Sequence, residues 1–291
     1  MRTIAHISDL HFGTEERAVV AGLLAELDGS RGPAPSVVAI SGDLTQRARP
    51  EQFRAARAFL DRLPVPFVVV PGNHDVPLYD LIDRFVQPLE RYRRIIGEPL
   101  MPVFADRELA VIGINTAHGF TFKGGRVTRE TAEAVRARLA DIDAGWKVLV
   151  AHHPFVPPPG GDGSDQVRGA AEVVPILEEA GIQMIMTGHL HVARSSDPTA
   201  FRSADRAIIE VQAGTAMSTR RRGEPNGYNL VTLAGDEVSI DHRVWDGAGF
   251  VTDQTKAYRR APRVPDGSRS PAPNPVSRSI PTERACNRTP P

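Results

Sequence analysis

Five short apolar segments of this 291-residue chain run directly into side chains that can ligate a metal or move a proton. Ile4–Ser8 leads into Asp9-Leu10-His11, and Val37–Ser41 into Gly42-Asp43. Phe67–Val70 leads into Gly72-Asn73-His74-Asp75, Lys147–Ala151 into His152-His153-Pro154, and Met184–Thr187 into Gly188-His189-Leu190-His191. Imidazole nitrogens mixed with a few carboxylate oxygens suit Zn, Fe and Mn far better than Ca. A two-residue step such as Asp9/His11 or His189/His191 returns both side chains to one face of an extended chain. Seven candidate ligands are too many for one four- to six-coordinate ion. They suit two ions sharing a bridging carboxylate, the device that clamps the attacking and leaving oxygens of a phosphoryl displacement. Taken singly, Asp-x-His or Gly-Asp marks a turn or a cap as readily as a site. The weight lies in the ordered set, each piece directly after a strand.

Those segments are too short for helices and rich in Val and Ile, so they read as buried strands, together with Leu109–Ile114 and Ile208–Val211. Amphipathic stretches of helical length separate several of them: Glu15–Leu27, Pro50–Leu63, Tyr79–Ile96, Thr128–Leu139 and Ala170–Ala180. The last third turns strand-rich, with Tyr228–Leu233 and Val238–Val244. The pattern predicts an α/β protein whose sheets are covered by helices, with two packed sheets as one arrangement. In an open α/β sheet the carboxyl ends of the strands are where ligand sites form, and that is where all five pieces fall.

Lys+Arg and Asp+Glu both number 35. Residues 261–291 hold five Arg against Asp266 and Glu283, which leaves the body with 30 basic and 33 acidic residues. A body of that sign is a poor fit for nucleic acid, whose affinity comes largely from neutralised phosphates. The single cysteine, Cys286, excludes an intrachain disulfide framework. No apolar run approaches the roughly 18 residues of a membrane span. The N-terminus reads as a strand and not as a signal peptide, so the expected compartment is the cytoplasm. The domain expectation is a catalytic domain over residues 1–250 and a C-terminal extension over 251–291. From about residue 261 the extension is too rich in Pro, Ser and Arg to bury a core and is expected to be disordered.

The five blocks together resemble the calcineurin-like metallophosphoesterases over about residues 1–245. The resemblance implies a four-layer αββα sandwich with a dinuclear centre at the strand ends. By position, Asp9, His11, Asp43 and His191 would hold one metal. Asp43 would bridge to a second held by Asn73, His152 and His189, and His74 would be the catalytic, non-ligand histidine. His153 would pack or hydrogen-bond beside His152. The implied reaction is attack on phosphorus by a metal-bound hydroxide, with protonated His74 stabilising phosphoryl charge or donating a proton to the leaving oxygen. Asp75 either orients His74 or serves as a turn residue. The cofactors implied are two divalent ions among Mn, Fe and Zn.

The segments His6–Gly13 and Ser41–Thr45 are similar to those of cyclic-nucleotide and glycerophosphodiester phosphodiesterases. The expected activity is therefore phosphodiester hydrolysis, with a 3′,5′-cyclic nucleotide as one candidate substrate. A phosphomonoesterase or nuclease on the same centre and a non-catalytic scaffold are the alternatives. His118, after another strand end, and Arg126, after Gly124-Gly125, are the candidate substrate contacts. Arg220–Arg222 form a further basic run able to meet a phosphate or a base. The partner expected is a small phosphoester, with neither membrane nor nucleic acid, and the oligomeric state is open.

Overall fold

The computed structural model describes residues 1–120, 124–157, 163–195 and 208–259. One six-stranded sheet has the order β12-β11-β10-β1-β2-β3. Its strands are β1 (Arg2–Ile7), β2 (Val37–Ile40), β3 (Phe67–Val69), β10 (Gly227–Ala234), β11 (Glu237–Trp245) and β12 (Phe250–Arg259). The other has the order β4-β5-β6-β7-β9-β8. It contains β4 (Val103–Ala105), β5 (Leu109–Gly113), β6 (Trp146–Val150), β7 (Met184–Thr187), β8 (Arg194–Ser195) and β9 (Ile209–Gln212). Both sheets are mixed. β1, β2 and β3 are parallel, as are β5, β6, β7 and β9; antiparallel strands extend the first sheet on its β1 side through β10, β11 and β12 and close both edges of the second as β4 and β8.

The layers follow from the alternation of side chains along each strand. Ile4, Val37, Ala39, Val68 and Val70 of the first sheet meet Val111, Val148, Val150, Met184, Met186 and Val211 of the second in one inter-sheet core. The opposite residues of the first sheet, Ala5, Ile7, Val38 and Ile40, pack under helices α1 (Arg17–Leu27) and α2 (Pro50–Leu60). Ala110, Ile112, Leu149 and Ile185 pack under α5 (Arg129–Leu139) and α6 (Ala170–Glu179). The central parallel strands are apolar on both faces because each face has a layer to bury it. The architecture is the αββα sandwich.

Two expectations are corrected. Tyr79–Ile96 is not one helix but two short ones, α3 (Leu81–Val86) and α4 (Glu90–Ile95). The break is at Gln87, whose backbone (φ −142°, ψ 61°) leaves the helical region before Pro88. A proline ring clashes with a helical predecessor and cannot donate to the helix ladder. The boundary at residue 250 is also displaced, since β12 pairs with β11 over most of its length, from Phe250 opposite Trp245 to Arg259 opposite Glu237. β12 escapes an apolar count because only Phe250 at its start is buried and most of the rest is exposed. The tail from about residue 261, Cys286 included, lies outside the described residues.

Candidate metal centre

The loops after β1 and β2 run side by side. Asp9 N donates to Gly42 O (3.1 Å), His11 N to Asp43 O (3.0 Å) and Phe12 N to Leu44 O (2.8 Å). Five residues at these strand ends adopt the left-handed backbone region: Asp9 (φ 51°), His11 (45°), Asp43 (51°), His189 (74°) and His191 (59°). Each such non-glycine residue costs of order 1–3 kcal/mol and persists only where its surroundings enforce it. Here the sharp turns aim side chains from different strands at one point. Gly72 and Gly188 leave the room, since a Cβ on Gly72 would fall on Asp43 Oδ1 and one on Gly188 on Ser8 Oγ.

Two groups of donors converge. In the first, His11 Nε2 lies 3.2 Å from His191 Nε2. Asp9 Oδ1 lies 3.5 Å from His11 Nε2 and 3.2 Å from His191 Nε2. Asp43 Oδ2 is 3.7 Å from His11 Nε2. In the second, Asn73 Oδ1 is 3.0 Å from both His152 Nε2 and His189 Nδ1. Asp43 Oδ1 is 3.4 Å from His152 Nε2, so the two oxygens of Asp43 face the two groups separately. Donor atoms bound about 2.0–2.2 Å from one tetrahedral or octahedral ion lie roughly 2.9–3.6 Å apart, the range these separations occupy except for the slightly longer 3.7 Å from Asp43 Oδ2 to His11 Nε2. The seven sequence-expected ligands are thus brought together. His153 also brings a ring nitrogen near those of His152 and His189, while its Nδ1 is 2.8 Å from Thr116 Oγ1.

The outer atoms decide the protonation of the inner ones. His152 Nδ1 donates to Ser41 O (2.7 Å), His191 Nδ1 to Arg220 O (2.6 Å) and His11 Nδ1 to Thr45 O (3.4 Å). His189 Nε2 faces Asp165 Oδ1 at 3.4 Å. With the outward nitrogen holding the proton, the inward nitrogen presents a lone pair, the state a metal-binding imidazole requires. Asp9 is oriented likewise. Ser8 Oγ (2.7 Å) and His189 N (3.0 Å) donate to Oδ2, and buried Oδ1 has no hydrogen-bond partner among the described residues. Burial alone would push the Asp9 carboxyl up, but the neighbouring His191 and His11 hold it well below its ordinary value. Asp43 is also lowered: burial is outweighed by His152, His74 and His11. Burial and His152 push His189 down to about 4, which keeps that ring neutral. Converging lone pairs and carboxylate oxygens, each locked from behind, fit divalent cations of the Mn, Fe and Zn type.

His74 stands outside both donor groups. Its ring meets that of His11 edge-on, with centroids 4.9 Å apart. His74 Nδ1 donates to Gln46 O (2.9 Å), and Arg220 Nη1 donates to Nε2 (2.8 Å). Burial pushes its pKa down, His11 and Arg220 reinforce that, and Asp43 opposes it. This arrangement holds the neutral ring, whereas the sequence reading expected a protonated one. Asp75 does not orient the His74 ring. Its carboxylate accepts from Leu44 N (3.1 Å), Thr45 N (2.8 Å), Gly72 N (2.9 Å) and Thr45 Oγ1 (2.9 Å), clipping the loop of Asp43 to that of Asn73. His118 Nε2 donates to Arg126 O (3.0 Å), and the Arg126 side chain is exposed, so these two stand together apart from the converging donors.

Residues 2–193 match the family model of the calcineurin-like phosphoesterases. The chain belongs to that family. Among its relatives, the glycerophosphodiester phosphodiesterase GpdQ of Enterobacter lignolyticus is 28% identical over 199 residues, 62% of this chain and 64% of the relative. The chain therefore spans just under two thirds of the length of that relative. A cAMP/cGMP dual-specificity phosphodiesterase of Mycobacterium tuberculosis is 26% identical over 257 residues, 81% of this chain and 77% of the other. In fold, a dimetal phosphatase of Danio rerio superposes with a TM-score of 0.62 at 13% identity, covering 89% of this chain and 99% of that one.

The outward acceptors escaped the sequence reading for a simple reason. Ser41, Thr45 and Arg220 act through main-chain carbonyls, which every residue type carries. Asp165 sits in a Gly-Ser-Asp loop with no spacing signal of its own. Among the described residues no helix is long and apolar enough to cross a membrane.

Proposed function

We propose that this calcineurin-like phosphoesterase hydrolyses phosphodiesters on a dinuclear metal centre. Asp9, His11, Asp43 and His191 would hold one divalent ion, and Asn73, His152, His189 and the other oxygen of Asp43 the second. The observation that carries the reading is the split of Asp43, Oδ2 toward His11 at 3.7 Å and Oδ1 toward His152 at 3.4 Å. When bound, the ions would supply Lewis-acid stabilisation of phosphoryl charge and a nucleophile drawn from water at neutral pH.

The chain's own residues supply the rest. Ser8 and the His189 amide hold Asp9 in place, and main-chain carbonyls hold His11, His152 and His191 in their ligating tautomers. His74 donates Nδ1–H to Gln46 O and turns Nε2 to the site; there Nε2 would first take up a proton from solvent, and the ring would then stabilise phosphoryl charge or pass that proton to the leaving oxygen. A phosphodiester is favoured over a monoester by the two named phosphodiesterase relatives, one acting on glycerophosphodiesters and one on cAMP and cGMP. A 3′,5′-cyclic nucleotide is the candidate substrate. His118 and Arg126 would belong to the outer rim of its pocket.

The test compares hydrolysis of bis-p-nitrophenyl phosphate and p-nitrophenyl phosphate by the Mn²⁺-reconstituted protein. A strong diester preference is expected, followed by turnover of a cyclic nucleotide in a substrate panel. A monoester preference would move the assignment to a phosphatase. Two bound metals without turnover of either would move it to a binding scaffold.

A further inference from the structure

Arg220 lies in the connection from β9 to β10, and the structure ties it to the site at both ends. Its carbonyl accepts the 2.6 Å hydrogen bond from His191 Nδ1. Its guanidinium crosses to His74, with Nη1 2.8 Å from Nε2 and 3.3 Å from Nδ1, and 3.4 Å from Gln46 Oε1. Arg221, next in sequence, is exposed and pairs with Glu16 at 2.9 Å. Arg220 differs in both respects. It is half-buried, and among the described residues it forms no ion pair. The formal charges acting on it include Asp43 and Asp9 as well as Arg47 and Arg222.

A half-buried guanidinium held, among the described residues, only by an imidazole and a carboxamide is an incompletely matched cation. Its fork of donors suits a tetrahedral oxyanion better than either present partner. His74 and Gln46, the two side chains it contacts, both line a cavity that also reaches Asn73, Arg47 and Arg84, so the guanidinium is held by groups that border open space. We propose that Arg220 binds the phosphoryl group of the substrate. In the free protein the guanidinium rests on His74. When a phosphoester enters, it moves to the non-bridging oxygens and leaves His74 Nε2 facing the leaving oxygen. The assignment rests on the proposed phosphoester reading, and it singles out one of the three arginines of the Arg220–Arg222 run.

The experiment titrates inorganic phosphate into the Mn²⁺-loaded full-length protein by calorimetry, with metal content measured in parallel. The proteins are wild type, Arg220→Ala, Arg220→Lys and the exposed control Arg222→Ala. Loss of a charge-assisted hydrogen-bonding pair predicts about 10- to 100-fold weaker phosphate binding in Arg220→Ala with full metal content. Arg220→Lys is expected to fall between, and Arg222→Ala to stay within about twofold of wild type, as for an exposed charge. Turnover of bis-p-nitrophenyl phosphate by Arg220→Ala should rise on adding millimolar guanidinium, a rescue that a packing role would not give. Unchanged phosphate affinity in Arg220→Ala would overturn the proposal. So would an equal loss in Arg222→Ala, loss of metal from both Arg220 variants, or no phosphate binding by wild type. Phosphate binding that depends on Arg220 in a protein that turns over no ester would keep the assignment and remove the hydrolase reading.

Discussion

His74 and Asp43 are neighbours with separable duties. His74 N donates to Asp43 Oδ1 (2.8 Å), yet the His74 ring lies outside both donor groups. Asp43→Ala removes the only carboxylate among the described residues that faces both groups, and leaves each a donor short. The expected result is loss of bound metal, read by elemental analysis after dialysis, together with loss of turnover. His74→Ala should keep the metal and lower kcat by about 10²- to 10⁴-fold, the usual contribution of a positioned proton donor. Unchanged turnover in His74→Ala would remove it from the mechanism. The left-handed backbones of Asp9, His11, Asp43, His189 and His191 belong to the same scale. Each stores strain locally, and the hydrogen bonds around it hold the strain in place.

At the scale of elements, the site depends on two buried carboxylates that clip loops together. Asp75 joins the loop after β2 to the turn after β3. Glu210, on β9, accepts from Phe155 N (2.9 Å) and Thr187 Oγ1 (2.9 Å) on Oε1 and from Val156 N (2.7 Å) on Oε2. It thereby fixes the chain just beyond His152-His153-Pro154 to the neighbouring strands. Burial pushes Glu210 from its ordinary 4.5 up to about 7, against the pull of the three donors. A folded value above the unfolded one gives stability that is fully present below about pH 4.5 and lost as the pH rises through about 7. Thermal denaturation across that window should show wild type losing stability relative to Glu210→Gln. A difference that does not vary with pH would mean the carboxyl titrates alike in both states. Superimposed on this, Glu210→Gln points an amide N–H₂ at a backbone or hydroxyl donor, which costs about 1–3 kcal/mol.

The two sheets share one core, and this governs the whole molecule. Ile4 is fully buried in the inter-sheet cluster with Val111, Val148 and Met184. Ile4→Ala should cost about 2–5 kcal/mol, the range for large-to-small changes in a packed interior. Because both sheets lose the same contacts, fluorescence and circular dichroism should report a single earlier transition. Two separated transitions would mean that the sheets unfold independently. Every proposed ligand lies between Asp9 and His191. Removal of residues 261–291 is therefore expected to leave metal content and turnover unchanged.

The residue types, their order and their attachment to strand ends were legible in the sequence, because apolar β-branched runs and polar turn residues are local signals. The strands of the two parallel cores fall where the runs of Val and Ile place them. So does the chemistry, since imidazole and carboxylate in these pieces point to divalent metal without any geometry. The sequence did not disclose the break at Gln87, although Pro88 was its available sign. It also missed β12, whose side chains face solvent and carry no apolar alternation beyond Phe250. Tertiary structure alone decided the remainder. Which Asp43 oxygen faces which group, which ring nitrogen carries the proton, and which of three consecutive arginines reaches His74 all depend on atoms distant in sequence. Such contacts are made by main-chain carbonyls and by crossings between sheets, and neither leaves a mark on residue type or spacing.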